Sequence, residues 1–403
     1  MKVLFITWDG PQVTYLESLF LPIFAHLAAY DVQFHVLQFT WGGAKRIALT
    51  REACEQLGIG YQSVTVWRRP HAIGAMVTAV AGSRLVKRAV HAYKIDVVMP
   101  RSTLPALASL LAMRGMTCPM VFDADGLPLD ERVDFAGQSP SSLVHRMLRD
   151  VEAQAVRRAD LVLTRSAKAV DILHARAGAG TARDKFHVVI NGRDTQRFKP
   201  ADAAQCAQTR RELGFSVTTP LIVYAGSIGA QYCLEEMLRL FTMIRERRSD
   251  ARLLILTSTP EVVQPAVDMH SKLQGHVTTL AVSSSDVPKY LGCADLGLAL
   301  RQPSFSMQAV APLKLGEYLL CGLPVLATAD IGDTGAISSD AGMLLKHMDD
   351  ATLEDAANWF VNAVLANRER YRANTRAVGL SCFSLAASLE SYQRALQHLG
   401  DES

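Results

Sequence analysis

The sequence lacks the cysteine pattern of a disulfide-bonded or zinc-binding protein. Its cysteines stand at positions 54, 118, 206, 233, 293, 321 and 382; they are odd in number, and no two have C-x-x-C spacing. Disulfide frameworks and structural zinc sites depend on more regular spacing. The pattern argues against both and is typical of a protein in a reducing compartment.

Long apolar runs and a large net charge are missing as well. No continuous apolar stretch approaches the roughly 18 residues that cross a bilayer, and the start MKVLFITWDG has too short an apolar run for a secretory signal. The net charge of +3 is too small to indicate a nucleic-acid partner. These absences predict a cytoplasmic protein that does not bind nucleic acid.

Short apolar runs alternate with longer amphipathic segments along the chain, as in βαβ units around a covered parallel sheet. The alternation stops in the polar segment 190–205 and restarts at LIVYAG (221–226). With 403 residues and 49% hydrophobic content, the chain can form two cores. We predict two doubly wound α/β domains facing across a cleft. Their ranges are 1–200 and 201–382, with a closing helix over 383–400 that packs on either domain.

A small-residue turn follows the apolar run LIVYA. Gly226, Ser227 and Gly229 lie between that run and the amphipathic segment 233–248. Small residues let the backbone approach a ligand, and a helix N-terminus offers N–H groups to a phosphate. A tight turn without a ligand explains the segment equally well. Because the pattern is not G-x-G-x-x-G, it does not indicate NAD.

Opposite charges stand near the start of the helix predicted in APLKLGEYLLCGLPVLAT. Pro312 suits the first turn of a helix over about 312–321, which puts Lys314 and Glu317 on one face. One interpretation is a surface ion pair worth a few tenths of a kcal/mol. The other is a ligand site, in which the cation faces a diphosphate and the carboxylate accepts hydrogen bonds from sugar hydroxyls.

The order of several segments is similar to that of the family 4 glycosyltransferases of the GT-B fold. These segments are VEAQAVRRADLVLTRSAKAVDIL, VINGRDTQRFKP, AGSIG, CADLGLALRQPSFS, APLKLGEYLLCGLPVLAT and FSLAASLESYQRAL. The resemblance covers nearly the whole chain. It implies retaining transfer of a sugar from a nucleotide-diphosphate donor, UDP rather than GDP, held by the second domain. The acceptor would be a glycan or lipid-linked molecule of cell-surface polysaccharide or glycolipid synthesis.

The resemblance also assigns donor residues. Glu317 matches the glutamate that holds the donor ribose, and Lys314 matches the lysine of a P-x-K-x-x-E variant of the E-x7-E motif. Lys314 would have a catalytic role at the leaving diphosphate. Two departures stand out: Ala309 replaces the first motif glutamate, and no basic residue follows the glycine turn. The full donor set is Gly226, Ser227, Gly229, Val282, Arg301, Pro312, Leu313, Lys314 and Glu317.

Acidic residues in VFDADGLPLDERVDF (121–135) resemble an acidic segment of some family members. There Asp125 would place a catalytic carboxylate near the acceptor hydroxyl, whereas a solvated loop is the alternative. The predicted acceptor residues are Gly10, Asp123, Asp125 and Glu131. No metal or other cofactor is expected, because the eleven histidines are dispersed and the D-x-D at 123–125 lies in the first half.

The stretch 56–95 contains no Asp or Glu, although Arg and Lys recur among its apolar residues. Basic amphipathic helices of this kind bind anionic membrane surfaces, with about 1 kcal/mol from each basic residue. Ordinary helices with a solvated basic face are the alternative. The first interpretation predicts peripheral contact through residues 68–94 with the inner face of the cell membrane.

Two other functions remain open at this stage. One is a GT-B nucleotide-sugar epimerase or hydrolase, which would activate water instead of binding an acceptor. The other is a degenerate GT-B subunit that only binds a partner, which the alanine at position 309 makes more plausible.

Overall fold

The computed structural model describes residues 1–69, 71–332 and 334–401. Its contacts divide the chain into two α/β units. The chain passes from the first unit to the second between Ile190 and Asn191, ahead of the predicted boundary at 200. The residues just after Asn191 belong to the second unit because Phe198 is buried in its core. The first unit comprises Met1–Ile190, Gln308–Val310 and the chain from Ser388 onward, and the second comprises Asn191–Met307 and Ala311–Ala387.

The first 190 residues alternate between strands and helices. They are β1 Lys2–Asp9, α1 Leu21–Leu27, β2 Gln33–Thr40, α2 Ala44–Gln56, β3 Gly60–Thr65, α3 His71–Tyr93, β4 Val97–Pro100, α4 Thr103–Ala112, β5 Val121–Asp123, α5 Pro128–Ala136, α6 Leu143–Arg158, β6 Leu161–Thr164, α7 Ala167–Ala177 and β7 Phe186–Val188. All strand pairs are parallel. The strand order is β3-β2-β1-β4, and isolated parallel bridges connect this sheet to β5-β6-β7.

The second unit repeats the alternation around a six-stranded parallel sheet. Its elements are α8 Ala203–Glu212, β8 Leu221–Ala225, α9 Leu234–Arg247, β9 Arg252–Leu256, α10 Gln264–Asp268, β10 Val277–Leu280, α11 Val287–Leu291, β11 Leu296–Ala299, α12 Leu313–Leu320, β12 Val325–Thr328, β13 Gly342–Leu345, α13 Asp350–Trp359 and α14 Arg368–Phe383. The order β10-β9-β8-β11-β12-β13 is that of a doubly wound nucleotide-binding sheet. The last helix is α15 Leu385–Asp401, whose residues from Ser388 onward belong to the first unit.

Shorter helices supplement these elements. The 3-10 helices are Ala28–Tyr30, Pro260–Val262, Ser271–Leu273, Ser306–Ala309, Thr334–Ala336 and Leu365–Asn367, and the π-helices are Leu16–Phe20 and Phe360–Val364.

The prediction of two doubly wound, Rossmann-like domains is confirmed. Central strands such as β1 and β8 are buried almost throughout, which is why they read as apolar runs in the sequence. Sequence analysis did not identify β3 and β13. Both are edge strands. The sequence of β3, GYQSVT, is mostly polar and partly exposed, whereas β13, GMLL, is a short apolar run at the sheet edge.

Candidate functional site

The carboxyl edge of the second sheet has a point where the strand order reverses. The chain runs outward in one direction from β8 to β9 and in the other direction from β11 to β12. Ligands of open α/β sheets bind in the crevice at such a point. Gly226 directly follows β8, and Arg301 stands two residues after the end of β11. Two of the predicted donor residues therefore flank the crevice.

The turn after β8 brings Gly226 against Lys314. Gly226 has φ +151°, and its N–H donates to the Leu256 carbonyl at 2.8 Å. A Cβ on Gly226 would lie 2.7 Å from Lys314 Nζ, so a side chain there would displace the ammonium. The neighbouring Ser227 carbonyl accepts a hydrogen bond from the Tyr224 hydroxyl at 2.5 Å. Around Gly229, by contrast, there is open space.

Lys314 lies in the first turn of α12 and inserts between two aromatic rings. Nζ donates to the Tyr224 hydroxyl at 2.9 Å and lies 4.2 and 4.5 Å from the ring centroids of Tyr224 and Tyr232. Burial, with the nearby positive charge of Arg301, lowers the pKa of Lys314 well below its ordinary value. An anion bound next to Nζ would therefore stabilise the charged form of Lys314.

Arg301 supplies a second cation at this edge. Its guanidinium lies 5.1 Å from the Tyr232 ring centroid, and its Nη1 donates to Gln231 Oε1 at 3.3 Å. The Thr328 hydroxyl bonds both the N–H and the carbonyl of Arg301, each at 2.9 Å, and so fixes its backbone. Tyr232, which stands where the resemblance expects a basic residue, thus orients two cations.

Glu317 lies one turn beyond Lys314 and pairs with a different residue. Its Oε1 is 3.1 Å from Arg193 Nε, with both side chains largely buried. Burial raises the pKa of the Glu317 carboxyl, and Arg193 opposes that shift. Since Lys314 contacts tyrosines and Glu317 contacts Arg193, the interpretation as a surface ion pair between the two is wrong.

The start of α12 is held against β8. Pro312 is the N-cap of this helix rather than a member of its first turn, and Leu313 is the first helical residue. The Tyr318 hydroxyl accepts a hydrogen bond from the Ala225 N–H at 2.8 Å. This bond ties α12 to the end of β8. Val282, two residues beyond the end of β10, lies at the same sheet edge and is partly buried.

Ala309, at the position of the first motif glutamate, is fully buried. Contacts assign Gln308–Val310 to the first unit, where Ala309 packs in a cluster with Phe122 and Leu127. The Ser166 hydroxyl donates to the Gln308 carbonyl at 2.9 Å. The side chain at this position therefore fills apolar space.

The first sheet also reverses its order, between β1 and β4, and charged residues collect there. Arg101 follows β4, forms an ion pair with Asp125 and lies 3.9 Å from Asp9. Asp9 accepts hydrogen bonds from Thr7 Oγ1 at 2.8 Å and Gln38 Nε2 at 3.0 Å. These bonds hold the Asp9 carboxylate rigidly at the sheet edge.

A cavity of about 220 Å³ opens beside these charges and is lined by Trp8, Asp9, Tyr15, Arg101 and Asp125, among others. Its combination of aromatic rings with a few charged groups is suited to a polar organic ligand. Two residues at its edge have left-handed backbone: Asp125 with φ +55°, and Ser102 with φ +70° and ψ 179°. Such conformations cost about 1–3 kcal/mol each and cluster at functional sites.

The other predicted acceptor residues lie apart from the cavity lining. Asp123 is fully buried at the end of β5 and pairs with Arg165 at 2.7 Å, so it does not stand on a solvated loop. Glu131 lies in the first turn of α5. A Cβ on Gly10 would meet the Trp41 ring at 2.8 Å, which explains the glycine without a ligand.

Sequence analysis missed Asp9 and Arg101 in the first unit and Arg193 and Tyr224 in the second. Asp9 is the last residue of β1 and Arg101 directly follows β4, the two strands between which the order reverses. Their proximity could be inferred only from the strand order. Within the described ranges, no group of three or more His, Cys, Asp or Glu could hold a metal ion.

Two families match the chain in tandem. Residues 20–192 match the family described as glycosyl transferase 4-like domain, and residues 219–363 match glycosyl transferases group 1. A relative from Corynebacterium glutamicum is the GDP-mannose-dependent monoacylated alpha-(1-6)-phosphatidylinositol monomannoside mannosyltransferase. It is 24% identical over 172 residues, which are 41% of this chain. The chain therefore spans only 44% of the length of this curated relative.

Solved structures match over nearly the full length. Anabaena HepE in complex with UDP and glucose has a TM-score of 0.70 at 16% identity, covering 98% of this chain and 99% of that one. A glycosyltransferase from Rickettsia africae has a TM-score of 0.71 at 15% identity, covering 99% of both chains. At these identities the likeness shows a shared fold.

Proposed function

The chain belongs to the glycosyltransferases of the GT-B fold, and we propose that it transfers a sugar with retention from a nucleotide-diphosphate donor to a glycan or lipid-linked acceptor. The observation that carries the proposal is the arrangement at the carboxyl edge of the second sheet. Lys314 abuts the Gly226 turn, while Glu317 stands one turn deeper beside Arg193. A diphosphate and a ribose need this order of charges.

The chemistry asks for charge stabilisation more than for a protein nucleophile. Breaking the anomeric bond builds negative charge on the leaving diphosphate, which Lys314 and Arg301 would stabilise. In a same-face transfer the leaving phosphate accepts the proton of the acceptor hydroxyl. Asp125, at the rim of the cavity in the first unit, would orient that hydroxyl.

A thermal-shift panel of nucleotides and nucleotide sugars tests the donor site, since a ligand that binds only the folded protein raises its stability. We expect UDP to give the largest shift. GDP belongs in the panel because the C. glutamicum relative is named as GDP-mannose-dependent, whereas the HepE complex contains UDP. Calorimetry with a folded Glu317→Ala variant then checks the site: unchanged affinity for UDP and GDP would show that the assignment is wrong.

Donor consumption with and without candidate acceptors tests the reaction. A glycosyltransferase consumes donor at an appreciable rate only when its acceptor is present. Turnover without any acceptor would instead identify an epimerase or hydrolase, and tight donor binding with no turnover for any acceptor would identify a binding subunit. Retention is checked by the anomeric configuration of the product.

We also propose that α3 contacts an anionic membrane surface. Ile73, Val77 and Val80 share one helix face and are 62%, 43% and 50% exposed. Arg84 and Lys87 continue the same face and are exposed. Apolar and basic residues in this sequence suit the boundary between acyl chains and anionic headgroups. Among the described residues, no helix combines the length and the apolar character of a membrane-spanning segment. Pro70, which falls within the predicted contact segment 68–94, lies outside the described residues.

Liposome sedimentation tests this contact. We expect binding to anionic vesicles that weakens with salt and is lost when Arg84, Lys87 and Arg88 are all replaced by Glu. Reversing the exposed Lys45, Lys168 and Lys346 instead changes the net charge equally and should preserve most of the binding. Equal loss in both variants, or no binding at low salt, would contradict a specific role of α3.

A further inference from the structure

Arg193 lies at the start of the second unit, three residues after the change of unit at Ile190. Its N–H donates to the Phe383 carbonyl at 2.8 Å, and its carbonyl accepts from the Leu385 N–H at 2.9 Å. These two bonds form a parallel bridge with Ser384. The backbone of Arg193 is therefore held on both sides, as a strand residue would be.

The fixed backbone directs the Arg193 side chain at Glu317. The guanidinium Nε lies 3.1 Å from Glu317 Oε1, and the two side chains are only 8% and 18% exposed. A buried carboxylate without a partner tends to take up a proton or rotate toward water. Arg193 opposes both, because its charge favours the ionised form and its position fixes one oxygen. The other oxygen, Oε2, can then accept hydrogen bonds from a ligand.

Resting on the donor site proposed above, we propose that Arg193 is a positioning residue that sets recognition of the donor ribose through Glu317. It orients and keeps ionised the carboxylate that accepts hydrogen bonds from the ribose hydroxyls. Arg193 thereby determines how strongly the site prefers a ribonucleotide over a nucleotide that lacks these hydroxyls. Hydrogen bonds to a charged acceptor are strong enough for a preference of about tenfold or more.

Calorimetry with UDP and 2′,3′-dideoxy-UDP tests the proposal, with the guanine pair substituted if the panel favours GDP. The wild-type protein should bind UDP about tenfold more tightly than the dideoxy analogue. Arg193→Met should weaken UDP to the level of the analogue and leave affinity for the analogue nearly unchanged. Arg193→Lys should recover part of the preference. In turnover, Arg193→Met should raise the donor KM much more than it lowers kcat.

A pH series adds a readout that a purely structural role would not move. Without Arg193 the buried Glu317 carboxyl takes up its proton more readily. UDP affinity of Arg193→Met should therefore fall at a higher pH than that of the wild type as the pH is lowered. If Arg193→Met does not fold, Arg193→Lys and the double variant Arg193→Met/Glu317→Met are measured in its place. The double variant leaves no unpaired buried charge and is therefore expected to fold.

Arg376 offers a matched control. It donates to the carbonyls of Thr195 and Phe198 and to that of Leu320 at the end of α12, so it holds the segment of Arg193 against the same helix, but through contacts other than Glu317. Arg376→Met should lower stability and keep the ribose preference. Equal weakening of both nucleotides in Arg193→Met would overturn the proposal, as would an intact preference. If Glu317→Met loses the preference and Arg193→Met keeps it, the role proposed for Arg193 is wrong but the donor site stands. If Glu317→Met keeps the preference, the assignment of the donor site is wrong.

Discussion

The ammonium of Lys314 lies 2.9 Å from the hydroxyl of Tyr224 and 4.2 Å from the centroid of the same ring. Among the described residues, its hydrogen-bonding partner is thus a neutral hydroxyl. Cation–π attraction compensates only part of the cost of burying an ammonium. A bound diphosphate would supply the missing compensation for the buried ammonium. The first two predictions follow from this.

Replacing Lys314 by Met should stabilise the ligand-free protein and impair nucleotide binding. The methionine fills the space between Tyr224 and Tyr232 and removes the cost of burying the lysine, either as an ammonium or by deprotonating it, which should raise the free energy of unfolding by about 1 kcal/mol. UDP affinity should fall about tenfold or more. Chemical denaturation and calorimetry measure the two effects. Lys289→Met, which removes an exposed lysine paired with Glu212, should change neither quantity appreciably.

Nucleotide binding should be coupled to proton uptake at Lys314. Because the native pKa is lowered, the unfolded chain holds a proton that the native state has released, over the range from the native pKa up to about 10.4. Stability of the ligand-free protein should therefore rise with pH in that range. A bound diphosphate favours the charged form and restores the proton. At a pH within that range, calorimetry in buffers of different ionisation enthalpy should detect this uptake in the wild type and a smaller uptake in Lys314→Met.

Two glycines in one turn should differ in their tolerance of alanine. Gly226→Ala puts a methyl group 2.7 Å from the present position of Lys314 Nζ, at a φ that disfavours a side chain. We expect nucleotide affinity to fall at least tenfold. Gly229→Ala meets open space and should bind like the wild type. Similar affinities of the two variants would argue against close approach of Lys314 to the turn as a requirement for binding.

Asp125→Asn should separate acceptor chemistry from donor binding. Asparagine tolerates the left-handed backbone at this position, so the fold should persist while the charge beside Arg101 is lost. We expect turnover to fall at least tenfold with nucleotide affinity unchanged. Asp150→Asn, an exposed carboxylate on α6, is the control. A parallel loss of nucleotide affinity would show that Asp125 has no separate role at the acceptor.

Restoring the first motif glutamate should not restore a sugar contact. Ala309→Glu introduces a carboxylate into the apolar cluster around Phe122 and Leu127, which should destabilise the protein by several kcal/mol. Ala309→Val adds volume without charge and should cost less. Thermal unfolding compares the two variants. A stable Ala309→Glu protein with raised activity would mean that the position is open to the donor.

Much of the fold was predictable, because parallel strands buried on both faces leave apolar runs separated by amphipathic helices. The runs at β1, β8 and β11 are of this kind. The edge strand β3, GYQSVT, was not predictable from the same signal, because it is mostly polar and partly exposed. The edge strand β13, GMLL, is a short apolar run that the predicted strands did not include.

The sequence by itself determined the residue types and their local placement. A glycine turn follows β8, a lysine and a glutamate stand three residues apart in α12, and an alanine replaces the first motif glutamate. Those features depend on neighbours along the chain, and a pattern of neighbours is what a sequence displays.

Only the tertiary structure decided the partners. Lys314 contacts a tyrosine ninety residues away, Glu317 contacts Arg193 across more than a hundred residues, and Arg101 meets Asp9 where the strand order reverses. Sheet order and helix packing bring such residues together, and charge balance depends on three-dimensional distance. That is why Lys314 and Glu317, which look like an ion pair in the sequence, each pair with another residue in the fold.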